Sequence, residues 1–204
     1  MNNAGIAVPG PLLHLPLADY RHQLEVNLIG PLLVTQAFAP LLGADPGRDG
    51  KPGRIVNISS VGGKIGVPFL GAYAASKHAL EGMSETLRRE LMLYGIDVII
   101  IGPGSVATPI WDKAEADDFS RYQNTDYAEI LDRFSKYFIA EGRKGFSPER
   151  IGATVLAALT SARPRARYAV VPNRFTNWTL PMLLPKRVLD KIISMRLGMI
   201  SAGS

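Results

Sequence analysis

Tyr73 and Lys77 stand four residues apart in Tyr-Ala-Ala-Ser-Lys, with Ser60 thirteen positions upstream. On a helix, that spacing puts a phenol and an ammonium on one face. A free phenol titrates near about 10 and is a poor acid-base group at neutrality. A neighbouring cation favours the phenolate, so the pair is a means of making a tyrosine exchange protons under mild conditions. The sequence therefore predicts that Lys77 lowers the pKa of Tyr73.

The elements that must hold this pair follow from apolar spacing. Residues 70 to 94 carry Leu80, Met83, Leu87, Leu91 and Tyr94 at three- or four-residue steps, a helix that Gly95 stops. An earlier helix runs from Asp19, a candidate N-cap, through Leu42. Residues 148 to 159 form another, with Ser147 as candidate N-cap and Pro148 in the first turn, and a last helix covers 185 to 197. The strands are 54 to 60, 97 to 101 and 168 to 171. The second is apolar throughout, as for a strand covered on both faces. Residues 1 to 16 read as loop, and residues 105 to 147 as irregular with helical patches. Helices alternating with short buried strands imply α/β architecture with parallel β-α-β units.

Composition narrows the chemistry. The 204 residues suffice for one domain with a real core, and 47% of them are hydrophobic. There is no Cys, which excludes disulfides and thiolate nucleophiles and fits a cytoplasmic setting. His14, His22 and His78 form no ligand pair of the His-x-x-x-His kind, so no metal site is expected. The net charge of +5 is scattered except in the last third, without the dense basic stripe of a nucleic-acid binder. No unbroken apolar run reaches the roughly 18 residues of a membrane span.

Further motifs occur in a fixed order around the pair: Asn2-Asn3-Ala4-Gly5, then Asn27 in Val-Asn-Leu-Ile-Gly, then Ile58-Ser59-Ser60, Tyr73-x-x-x-Lys77, and Pro103-Gly104-Ser105-Val106-Ala107-Thr108. Taken together, this set resembles the short-chain dehydrogenase/reductase family, tightly over residues 2 to about 110 and loosely beyond. The resemblance implies a Rossmann-like doubly wound sheet. It implies an oxidoreductase that interconverts an alcohol and a carbonyl with NAD or NADP. Tyr73 is then the acid-base residue, and Lys77 lowers its pKa and binds the nicotinamide ribose. Ser60 holds the substrate oxygen, while Ser59, one step along the strand, points the other way. Asn3, Ala4 and Gly5 border the adenosine side of the cofactor. Pro103, Gly104, Val106 and Thr108 wrap the nicotinamide end. A homodimer or homotetramer built on the helices at 17 to 42 and 70 to 94 is also implied.

Asn27 allows a separate deduction. Pro31, four residues later, has no N–H to donate to the Asn27 carbonyl. That carbonyl is thereby left to accept from elsewhere. The resemblance implies that Asn27 holds a water of a proton relay, and Pro31 is expected to help expose its carbonyl here; a simple packing kink is the alternative.

Residues 105 to 147 correspond to the family's substrate lid. Their Trp111, Phe119, Tyr122, Tyr127, Phe134, Tyr137 and Phe138 suit either a lipophilic substrate or a packed core. Asp112, Glu115, Asp117 and Asp118 read as a solvated acidic face. The tail, residues 173 to 204, mixes apolar and basic residues. It suits peripheral membrane contact, a covered lid or a dimer partner.

The family's glycine-rich pyrophosphate turn, Thr-Gly-x-x-x-Gly-x-Gly, does not occur in these residues. Met1 stands where the family has an aliphatic residue at the end of its fourth strand. The sequence therefore reads as an N-terminally truncated fold with about three strands. Its first strand is expected to be an exposed edge, and its cofactor binding to be poor. The alternative to an enzyme is an inactive remnant that acts as a binding or oligomerisation module.

Overall fold

Arg54–Ile58, Asp97–Pro103 and Arg167–Val170 form β1, β2 and β3 of a parallel sheet in that order. The computed structural model describes residues 1–45 and 47–200. Residues 201 to 204 of the tail lie outside the described residues. Alternate side chains of a strand face opposite ways, and the two faces have separate covers. Val56, Ile99 and Ile101 pack with Ala158, Ile151 and Val155 of α6 (Pro148–Thr160). Ile55 and Val98 pack with Leu87 and Leu91, at the end of α3 (Gly71–Glu90), and with Leu42. β2 is the centre of the core, and Val98 through Ile101 are all 1% exposed or less.

β1 is not the bare edge that the sequence implies. Asn2 forms an isolated parallel bridge with Asn57. Its N–H donates to Val56 O at 2.8 Å, and its own carbonyl accepts from the Ile58 N–H at 2.9 Å. A buried polar chain secures this segment. Asn2 Nδ2 donates to Asn57 Oδ1 at 2.8 Å and to Thr35 Oγ1 at 3.3 Å. Asn57 Nδ2 donates to Ser84 Oγ at 2.8 Å, and Ser84 donates to Leu80 O.

The long N-terminal helix is built in three pieces: α1 (Leu17–Leu24), a π-helical turn (Glu25–Ile29) and α2 (Gly30–Leu42). Pro16, not Asp19, is the residue that precedes it. Asp19 lies in the first turn, where a carboxylate suits the helix dipole, and it pairs with Arg121 at 2.7 Å. The helix Leu17–Leu42 holds an 18-residue window with a mean hydropathy of 1.3, long and apolar enough to cross a membrane by length and composition. This differs from the reading of unbroken apolar runs, which its polar residues interrupt. Those residues, Gln23, Asn27 and Thr35, are buried and bonded to Val8, Ile6, Ser76 and Asn2, which ties the helix to the domain.

Residues 105 to 147 are more ordered than their pattern suggests. They contain α4 (Ile110–Glu115) and α5 (Ala128–Gly142). Leu131 and Phe134 of α5 form a second core with Phe69, Leu70 and Tyr122. The tail folds as a π-helical turn (Phe175–Thr179), α7 (Leu180–Leu183) and α8 (Lys186–Arg196).

The Asn2–Asn57–Ser84 chain makes a stability prediction. Replacing Asn57 by Leu removes two side-chain hydrogen bonds, leaving the Asn2 amide with Thr35 alone and the Ser84 hydroxyl with Leu80 alone. The loss of two such bonds costs about 1–3 kcal/mol. A urea titration should show a lower midpoint with an unchanged slope; an unchanged midpoint would mean that the amide chain contributes nothing.

Candidate active site

Beyond Ile58 the chain leaves the sheet, and Ser60 takes an extended conformation. Its Oγ accepts the Gly62 N–H at 3.0 Å, which caps the short turn Val61–Gly63. A Cβ on Gly62 would stand 3.1 Å from Tyr73 Cε1 and 3.4 Å from Ser60 Oγ. The missing methyl therefore lets hydroxyl and phenol share one corner. Phe69 then adopts φ +66°, a left-handed conformation rare for a bulky residue. Rings of Tyr127 and Phe134 at 6.0 and 5.3 Å hold it there, and it directs the chain into α3.

α3 carries Tyr73 in its first turn and Lys77 one turn on. Lys77 Nζ lies 5.8 Å from the Tyr73 ring centroid and donates to Ile58 O at 2.8 Å. The shared face is as the spacing requires, but its electrostatics differ from the sequence-based prediction. Burial pushes the Tyr73 phenol above its ordinary value, and only the neighbouring Ser60 hydroxyl works against that shift. Burial likewise lowers Lys77, to about 8. In this environment desolvation sets the direction of the phenol's shift.

Asn27 lies behind this face, buried, in the π-helical turn. Its Oδ1 accepts the Ile6 N–H at 2.9 Å, and its Nδ2 donates to Ile6 O at 3.0 Å and to Ser76 Oγ at 3.1 Å. The helix widens where Pro31 cannot donate, and Gly30 N–H reaches back to Glu25 O. Gly5 sits between these groups: a Cβ there would be 3.3 Å from Asn27 Oδ1 and 3.7 Å from Lys77 Nζ.

Ser60, Tyr73 and Lys77 open on one cavity of about 1060 Å³. Asn3, Gly5, Pro103, Gly104, Val106 and Thr108 line it too, whereas Ala4 and Asn27 do not. The Pro103–Thr108 loop is pinned from outside. Ala107 N–H donates to Phe146 O at 2.9 Å, and Trp111 Nε1 donates to Val106 O at 2.7 Å. Ser59 faces away from Tyr73, toward Gly63, where a Cβ would fall 2.7 Å from its Oγ. Of the acidic residues expected to be solvated, Asp112 and Glu115 pair with Arg143, and Asp117 borders the cavity.

Three residues of this architecture escape sequence reasoning. Gln23 clamps the N-terminal segment beside Asn27, accepting the Val8 N–H at 2.8 Å and donating to Ile6 O at 2.7 Å. Its i,i+4 spacing from Asn27 was the available signal. Glu81, one turn beyond Lys77, is 1% exposed and accepts Arg167 Nε at 2.9 and 3.0 Å. Arg167 Nη2 also donates to Ser60 O at 3.3 Å. No local pattern joins residues so far apart.

The Lys77 shift predicts a pH dependence. Its folded-state value of about 8 lies below the ordinary 10.5. The unfolded chain therefore binds more protons between those values, and stability rises with pH from about 8 toward 10. The rise attributable to Lys77 is roughly 2 kcal/mol. Denaturation curves of the Lys77→Met variant should lack it, and equal slopes in the two proteins would refute the assignment.

The family model described as short chain dehydrogenase matches residues 1–118. The chain is 39% identical over 193 residues to an NADPH-dependent 3-dehydrocapnine reductase of Ornithobacterium rhinotracheale, covering 94% of this chain and 67% of that protein. It is 33% identical over 172 residues to a 3-ketodihydrosphingosine reductase of Bacteroides thetaiotaomicron, covering 84% of this chain and 62% of that one. The chain thus spans about two thirds of the length of these relatives. A crystal structure of a short-chain dehydrogenase/reductase from Burkholderia phymatum in complex with NAD superposes with a TM-score of 0.70 at 24% identity, over 88% of this chain and 63% of that one. Motif order, a parallel sheet and a shared cavity agree with these likenesses, and the chain belongs to the short-chain dehydrogenase family.

Proposed function

We propose that this chain forms the catalytic portion of an NAD(P)-dependent oxidoreductase that interconverts an alcohol and a carbonyl. The observation that carries the reading is the convergence of Ser60, Tyr73 and Lys77 on one cavity with the Pro103–Thr108 loop. The names of the two reductases above support it. The residues present fit the nicotinamide end of such a cofactor. Gly5 leaves open the space beside Lys77 Nζ that a Cβ would fill. Lys77 would hold the ribose, and Val106 and Thr108 the carboxamide side. When bound, the cofactor supplies the hydride.

The chain's own residues supply position and proton. Ser60 holds the substrate oxygen against the Tyr73 hydroxyl. With its pKa raised by burial, Tyr73 is protonated at neutral pH, the state needed to donate to a carbonyl oxygen. With its value near 8, Lys77 is still mostly protonated at neutrality and favours the phenolate that donation leaves behind. On the far side, Ile110, Trp111, Phe119, Phe134 and Phe138 line the cavity, which supports an apolar carbonyl or alcohol as substrate. Self-association is part of the proposal. Val34, Phe38 and Leu41 recur at helical steps on α2 and stand exposed, an apolar stripe suited to a homodimer or homotetramer.

In a protein that carries these residues together with a glycine-rich cofactor-binding segment, Tyr73→Phe should lower kcat by about a hundredfold or more at unchanged fold. Turnover equal to that of the unsubstituted protein would leave the chain as a binding or oligomerisation module. By light scattering, Phe38→Asp should shift an oligomer to the monomer; an unshifted mass would remove α2 from the interface.

A further inference from the structure

The C-terminal segment presents a combination that the site does not use. Phe175, Leu180, Met182, Leu183 and Val188 all stand exposed, Phe175 at 67% and Leu183 at 75%. They lie on three consecutive pieces: the π-helical turn, α7 and the first turn of α8. Single exposed apolar side chains are ordinary. Five on one short folded segment make a patch that calls for a partner.

The charge around the patch says which partner. Arg174, Lys186, Arg187, Lys191 and Arg196 are all exposed, against the single carboxylate of Asp190. This segment therefore carries nearly the whole of the chain's net charge of +5. Among the described residues none of these five cations forms an ion pair, although cations elsewhere, such as Arg143 and Lys144, do. On α8 the buried Leu189 turns inward, which leaves Lys186, Arg187 and Lys191 at the surface.

We propose that this segment docks on an anionic lipid surface. Phe175 and Leu183 enter the boundary between headgroups and acyl chains, and the cations meet the lipid phosphates. A second copy of the chain is a poorer occupant. A twofold contact would set the patch against itself and face cation with cation. The position is also informative. Pro172, Asn173 and Asn177 line the active-site cavity, so the docked segment forms part of its rim. An apolar substrate could then pass from the bilayer into the cavity; that last step rests on the proposed reaction, whereas the docking does not.

Flotation of the 204-residue chain with vesicles tests this directly. The chain should float with vesicles of phosphatidylglycerol and phosphatidylcholine in equal parts, and should stay behind with phosphatidylcholine alone. Added salt should weaken the binding. The double substitution Lys186→Glu/Arg187→Glu should reduce partitioning at least about tenfold. Phe175→Ser/Leu183→Ser should do the same; these side chains are exposed, and circular dichroism would verify the fold. Absence of flotation, or flotation unchanged in both variants, overturns the proposal. So does an oligomer that Phe175→Ser/Leu183→Ser dissociates, since the patch would then belong to a second copy. None of these outcomes depends on turnover, so the Tyr73→Phe result stands apart from them.

Discussion

A lysine ammonium held almost entirely out of water is the constraint around which this fold is arranged. Removing it from solvent is costly, as its depressed pKa of about 8 records. Lys77 Nζ donates to the carbonyl of Ile58, the last residue of β1. α3 must therefore approach the end of the strand closely, and four of its buried residues are small: Ala72, Ala74, Ser76 and Ser84. Gly63 belongs to the same requirement, because a Cβ there would lie 3.0 Å from Lys77 O. The close approach is also what brings Tyr73 against Ser60.

The second requirement is that the N-terminal segment stays beside this lysine. Residues 2 to 8 have little regular structure of their own, and buried side-chain amides hold them in its place. Asn27 and Gln23 both bond Ile6 O, and between them they take the N–H groups of Ile6 and Val8. Asn2 is fixed by β1 and by Asn57. Every member of such a buried network has to be satisfied, or the network costs more than apolar packing in its place. The arrangement gives Asn27 a structural duty, with its main chain in a π-helical turn and its side chain closing off the segment that carries Gly5.

This division explains what could be read without coordinates. β1, β2, α3 and α6 have strong periodic or continuous apolar patterns, and they form where those patterns lie. Tyr73, Lys77, Ser60 and the Pro103–Thr108 loop stand out in the sequence because their residue types lie at fixed local spacings, and the structure brings them to one cavity. α5 lies in a stretch that reads only as irregular with helical patches, although Leu131, Phe134 and Phe138 step at three and four. Its pattern is mixed with polar residues and adjoins a run of short turns. The π-helical turn follows from Pro31 only in part, since the widening depends on how the helix continues. The sign of the Tyr73 shift is not readable from sequence, because spacing reports a nearby cation but not the burial that raises the phenol. β1's edge was misjudged for a related reason. One bridging residue, Asn2, has no strand pattern to announce it.

Arg167 shows how far the site extends beyond its motifs. Its guanidinium meets buried Glu81, donates toward Ser60 O and lies 4.3 Å from the Trp178 ring. Gly102 makes room for it, since a Cβ there would collide with the guanidinium. Glu81 needs this partner: a buried carboxylate left alone costs several kcal/mol, about 3–5 when one member of such a pair is removed. Lys64, at 3.3 Å, adds a second cation at the rim. Through one side chain, β3 is thus joined to α3 and to the main chain of Ser60. The ring of Trp178 stacks on the same guanidinium, so the C-terminal segment rests on the group that supports Ser60. Displacing Trp178 would remove an aromatic face from a half-buried cation and expose the Arg167–Glu81 pair further to water. The geometry of Ser60 and the seating of the C-terminal segment are therefore two ends of a single contact.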